Sequence, residues 1–125
     1  MFGLQIRYLS FFFGITSVLS FFNIIYSYYF NLYLNLGTYY YTLISSICIF
    51  IIFYKFGNEN KRSNIFEKIL TIFLGYLLIP LVLSIPFYIS IYNLTFINSY
   101  FESISGFTST GFTIFENIKL IDQSL

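Results

Sequence analysis

The chain has 125 residues, 58% hydrophobic and only 9% charged, against roughly 25% charged in an ordinary soluble domain. That balance excludes a water-soluble fold, and a formal net charge of +1 excludes the strongly basic surface of a nucleic-acid binder. With one cysteine and no histidine, disulfide frameworks and Cys/His zinc sites are excluded as well, and no cofactor is expected.

No charged residue interrupts the chain between residues 8 and 54 or between 69 and 101, and each run exceeds the roughly 20 apolar residues that cross a bilayer core. Arg7 precedes the first run, which is too long for a signal peptide and lacks an A-x-A-like cleavage site. The first span is expected over residues 8–30, followed by a turn containing Asn31, Asn35 and Gly37 and a second span over 38–54. Residues 1–54 thus read as an amino-terminal transmembrane hairpin. Residues 55–68 form a polar loop with Lys55, Lys61, Arg62 and Lys68 beside Glu59 and Glu67. A third span covers 69–92, where Pro80 and Pro86 each remove a backbone donor and are expected to kink or end the helix.

Short cytoplasmic loops are enriched in Lys and Arg. Arg7 and the 55–68 loop hold five of the six basic residues, which places the amino terminus and that loop in the cytoplasm. Three crossings then deliver residue 93 to the outer face, where Glu102, Glu116 and Asp122 gather beside a lone Lys119. Tyr26, Tyr28, Tyr29 and Tyr33 fall where the outer interface should be, at headgroup level. Cys48 reads as a small apolar core residue. Asn93-Leu94-Thr95 fits a glycosylation acceptor, a pattern common by chance.

Residues 93–113 are too short and too polar to cross, and they read as a re-entrant half-membrane helix followed by a loop, with 114–125 an outer segment. Ser99 and Glu102 have the spacing of a capping box, and Gly106 suits the left-handed residue that ends a helix. Eight or nine residues at about 1.5 Å each span roughly 13 Å, half of a bilayer core. The first-turn position assigned to Glu102 explains it through capping and the helix dipole, with attraction of cations as the alternative.

Phe107-Thr108-Ser109-Thr110-Gly111-Phe112-Thr113 then offers hydroxyls and a glycine without charge. Irregular backbone at membrane depth is tolerated where protein buries it or where it lines a cavity. A potassium filter replaces the hydration shell of the ion with neutral carbonyl oxygens, and Gly111 can take the positive φ that such a backbone favours. On spacing alone, an outer loop with Ser and Thr as turn residues fits equally well.

The stretch Tyr100-Phe101-Glu102-Ser103-Ile104-Ser105-Gly106-Phe107-Thr108-Ser109-Thr110-Gly111-Phe112-Thr113 closely resembles the first pore loop of the Trk/Ktr/HKT potassium-transporter superfamily, specifically its TrkH-type members, whose pattern there is FEA-x-SGFTTTGAT. Leu83-Ser84-Ile85-Pro86-Phe87 is similar to the end of the family's preceding helix, and the two earlier spans fit the extra hairpin of TrkH-type proteins.

The resemblance implies an all-α membrane protein whose pore is built from four helix, pore-loop, helix repeats, of which this chain holds part of the first. It implies potassium as the transported ion, held by backbone carbonyls of Ser109 and Thr110 with Thr108 and Gly111 beside them. Glycine at the position of Gly111 goes with potassium selectivity in related transporters, and serine with sodium. It also implies a bacterial cytoplasmic membrane, a homodimer and a cytosolic nucleotide-binding regulatory subunit, beside the lipid bilayer itself. Ser109 departs from the usual threonine and Phe112 from a small residue. The second helix of the repeat is missing, so the chain is expected to be a fragment or a truncated product that does not conduct alone.

The expected function is potassium transport. A truncated or vestigial protein with a structural or assembly role is the alternative. A membrane hydrolase using Ser105 or Ser109 lacks an activating base, because histidine is absent and every lysine lies outside the spans. The chain is therefore not expected to be an enzyme.

Overall fold

The computed structural model describes residues 6–57 and 64–116. Four helices follow one another, α1 Ile6–Tyr29, α2 Leu36–Phe56, α3 Ile65–Ile89 and α4 Phe96–Phe107, with no strand among the described residues. The first three have 24, 21 and 25 residues, or about 36, 32 and 38 Å at 1.5 Å per residue. Each is long and apolar enough to cross a membrane. Residues Glu59, Lys61, Arg62, Lys119 and Asp122, used above for topology, lie outside the described residues.

All six ends of the three long helices differ from the sequence expectation by one to four residues, α2 taking in Gly37 of the expected turn, and two of the shifts have a plain physical reason. Helix α2 runs two residues past Tyr54 because Lys55 is well placed in a last turn, where its charge complements the carbonyl end of the helix. Helix α3 starts at Ile65 rather than 69 because Asn64 and Glu67 form a capping box, the Asn64 N–H donating to Glu67 Oε2 at 3.2 Å. Nor do Pro80 and Pro86 end α3, which continues to Ile89.

Small hydroxyl residues are prominent among the buried positions of the three long helices. Ser10, Thr16, Ser20, Ser27, Thr38, Thr42 and Ser46 are buried, whereas Phe11, Phe12, Phe22, Ile44, Ile51 and Phe73 are exposed. Helices in lipid associate through small and hydroxyl residues that let backbones approach, because their large apolar side chains are already well solvated. Nearly all the buried hydroxyls donate to a carbonyl one turn back, among them Ser10 to Arg7 at 2.6 Å, Ser20 to Thr16 at 2.9 Å and Thr42 to Tyr39 at 2.9 Å. The Ser27 hydroxyl is an exception, with no partner among the described residues.

Helices α1 and α2 form an antiparallel hairpin, closed at one end by a turn in which Asn31 takes φ 56°. The tyrosines expected at an interface gather there, with the Tyr28 and Tyr33 rings 6.0 Å apart and the Tyr28 and Tyr40 hydroxyls 3.1 Å apart. At the other end the Arg7 guanidinium lies 4.7 Å over the Tyr54 ring and donates to its hydroxyl at 3.2 Å. The core joins α1 to α3 through Leu9, Phe13, Ile79 and Val82, with the edge of Phe13 against Phe53 of α2 at 5.6 Å. Cys48 does not join this core. It is exposed, because the side of α2 that meets α1 is taken by Thr42, Ser46, Phe50 and Phe53.

Gly57 closes the base of the hairpin, its N–H donating to Phe53 O at 2.9 Å. A Cβ there would sit 2.8 Å from Arg7 Cβ and 2.9 Å from Arg7 N, too close without moving backbone. Gly57→Ala is expected to cost about 1–3 kcal/mol, as overpacking does, read as a lowered thermal midpoint of the detergent-solubilised protein.

Candidate functional site

Helix α4 packs back along α3. The ring of Phe96 lies 6.3 Å from Tyr88 and the ring of Phe107 lies 5.4 Å from Tyr76, so the tip of α4 stands level with the middle of α3. The chain then reverses, and Phe115 meets Tyr92 at 5.7 Å, back beside the end of α3 from which α4 set out. With 12 residues α4 is about 18 Å long, half again the expected length.

The extra length comes from its start. Thr95 is the N-cap, its hydroxyl accepting from Asn98 N–H at 3.3 Å. The capping box expected of Ser99 and Glu102 is therefore not formed. Ser99 lies inside the helix and donates to Thr95 O at 3.0 Å, and Glu102 stands beyond the first turn. Thr95 escapes the sequence reading because Ser99, with Glu102 three residues on, offers the better-looking cap. The left-handed residue is not Gly106 either. Helix α4 runs one residue further to Phe107, and Ser109 takes φ 56°.

The face that α4 turns inward is polar: Ser99, Glu102, Ser103 and Ser105 are buried, while Ile97 is 77% exposed. Ser103 Oγ donates to Pro80 O at 2.8 Å and Tyr100 Oη to Leu77 O at 2.9 Å. Both acceptors lie close to the Tyr76 carbonyl, which Pro80, having no N–H, leaves without its helical donor, so α4 is tied to α3 by side-chain donors at the level of the proline.

The expected filter residues are brought together at the reversal. The amides of Thr108, Ser109 and Thr110 turn back toward α4, donating to Ile104 O at 2.9 Å, Gly106 O at 3.2 Å and Ser105 O at 3.0 Å. Ser105 Oγ donates to Phe112 O at 2.5 Å and accepts from Thr110 Oγ1 at 3.1 Å. Along the turn the sign of φ alternates, with Thr108 at −89°, Ser109 at 56° and Gly111 at 76°. Among the described residues no hydrogen bond ends on the carbonyl oxygens of Thr108, Ser109, Thr110 or Gly111, and all four residues are exposed.

Two residues that hold this turn were not assigned that part by sequence reasoning. Ser105 had been weighed only as a nucleophile, and its hydroxyl is instead engaged with the loop. Glu102, 9% exposed, accepts from Thr113 Oγ1 at 2.8 Å and from the Ile114 N–H. The FE-x-x-S spacing within the motif carried the only signal, since residues 102 and 105 share the loop-facing side of a helix.

Three helices long and apolar enough to span a bilayer, with small hydroxyl residues prominent among their buried positions, define a helical membrane protein. No protein-family model, curated protein or solved structure matches the chain. No cluster of three His, Cys, Asp or Glu side chains suited to a metal ion occurs among the described residues.

Ser105→Ala removes both hydroxyl contacts and leaves the Ser105 carbonyl in place. The loss is expected to be about 1 kcal/mol locally, a roughly fivefold faster amide exchange around Thr110 and Phe112 with the spanning helices unchanged. Hydrogen exchange on the lipid-reconstituted protein checks it.

Proposed function

We propose that the chain contributes one strand of a potassium filter in a TrkH-type transport protein of the bacterial cytoplasmic membrane, with its amino terminus in the cytoplasm. The carbonyl oxygens of Ser109 and Thr110, flanked by those of Thr108 and Gly111, are the ion ligands. The observation that carries this reading is the division of the loop's polar groups: amides 108–110 are tied to α4, and the four carbonyls accept no hydrogen bond among the described residues.

That division suits a cation and opposes an anion. Potassium is held by several neutral carbonyl oxygens that replace its water, and alternating the sign of φ lets neighbouring peptide groups present their oxygens to one side. The tip of α4 adds the partial negative charge of a helix carbonyl end, about half an elementary charge. Phe107 stands level with mid-α3, the depth at which a half-membrane helix would deliver the loop. Exposed backbone at that depth requires water or protein, which further loops around a common axis would provide. The motif at residues 100–113 supports the same reading, and the dimer and the cytosolic nucleotide-binding subunit follow from it by analogy.

Expression of the complete reading frame in cells that depend on added potassium is expected to restore growth at low potassium. Gly111→Ser is expected to lower potassium uptake at least tenfold or to admit sodium. A well-inserted protein that gives no uptake overturns the reading in favour of a structural or assembly role.

A further inference from the structure

A filter strand needs a fixed backbone, because carbonyl oxygens select an ion through their spacing, and an exposed loop of small hydroxyl residues does not hold that spacing unaided. The turn from Thr108 to Gly111 is anchored on its near side by the last turn of α4. Its return limb, from Phe112 to Phe115, has no helix of its own among the described residues. Ser105 meets its first residue at Phe112 O and Tyr92 its last at Phe115, and between them the limb meets one buried carboxylate. Both contacts, from Thr113 Oγ1 and from the Ile114 N–H, converge on the same oxygen, Glu102 Oε1, and Thr113 Oγ1 in turn accepts from Phe115 N at 3.2 Å.

We propose that Glu102 is the positioning residue of the filter: through Oε1 it pins Thr113 and Ile114, and thereby sets the return limb that fixes Gly111 and Thr110. This rests on the filter reading above. Glu102 does not touch the ion, and it acts as a hydrogen-bond acceptor rather than as a charge that gathers cations at an entrance. Its carboxylate is buried behind the loop, and both contacts need an oxygen at one point in space.

The two roles separate by substitution. Gln at 102 keeps an oxygen where Oε1 stands and discards the charge, whereas Ala discards both. An acceptor role predicts that Glu102→Gln behaves as the parent and Glu102→Ala does not. A charge role predicts that the two variants fail alike. Thr113→Val removes one of the two donors and leaves Glu102 untouched, so it should shift the same quantities in the same direction by less.

The experiment measures, on the full protein in liposomes, the ratio of potassium to sodium uptake and the amide exchange rate of Ile114. Glu102→Ala is expected to lower the ratio at least tenfold and speed Ile114 exchange at least tenfold, with Glu102→Gln within threefold of the parent in both. Parent-like selectivity and exchange in Glu102→Ala, or equal losses in Glu102→Gln and Glu102→Ala, overturn the proposal. If Glu102→Ala does not insert, Thr113→Val carries the test, and unchanged selectivity and exchange there overturn it. Should the parent transport no potassium while Ile114 exchange still follows the Ala and Gln pattern, the filter reading falls, and with it the selectivity role. The pin on the loop then stands alone.

Discussion

A hydroxyl surrounded by hydrocarbon has one inexpensive partner, the carbonyl one turn back on its own helix, and a proline in the same surroundings leaves a carbonyl with no donor at all. These two facts set the architecture. Serines and threonines satisfied within their helices can face a neighbour without cost, so α1 and α2 close over Ser10, Ser20, Thr38, Thr42 and Ser46 while phenylalanine and isoleucine look outward. At the level of Pro80, α3 is also tied to α4, through Ser103 on Pro80 O and Tyr100 on Leu77 O.

Those two bonds hold the short helix against the middle of α3. Helix α4 turns serines and a carboxylate inward, a composition unsuited to burial in an aliphatic core but suited to partners that offer polar backbone atoms. Its polar side holds two partners: the Pro80 turn of α3 through Ser103, and the returning chain through Glu102 and Ser105. The same helix therefore joins the scaffold to the loop.

In the loop, one division of polar groups governs the chemistry. Amides are retained by the helix end, carbonyls 108–111 accept nothing among the described residues, and the return limb is pinned from behind. Ser109 bears the cost of a left-handed conformation in a residue with a side chain, about 1–2 kcal/mol. Where such strain occurs beside those carbonyls, backbone direction at that point matters more to the protein than local comfort.

Much was legible in the residues themselves. The three spans followed from charge-free runs longer than a bilayer core, and their helical state needed no tertiary information, because backbone in lipid must satisfy itself. The turn at Asn31 and the aromatic end of the hairpin were also readable. The caps were not. Thr95 rather than Ser99 begins α4, and Asn64 rather than residue 69 begins α3, because several candidate caps lie within a few positions and only the final packing selects among them. Cys48 goes against its residue type: the hydroxyls at 38, 42 and 46 mark the buried side of α2, and Cys48 lies off that side. Glu102 shows the limit most plainly: spacing offered it a helix cap, whereas the structure gives it Thr113 and Ile114, eleven and twelve residues on. Local chemistry determined which segments are helices, and only the reversal of the chain decided which atoms those helices would hold.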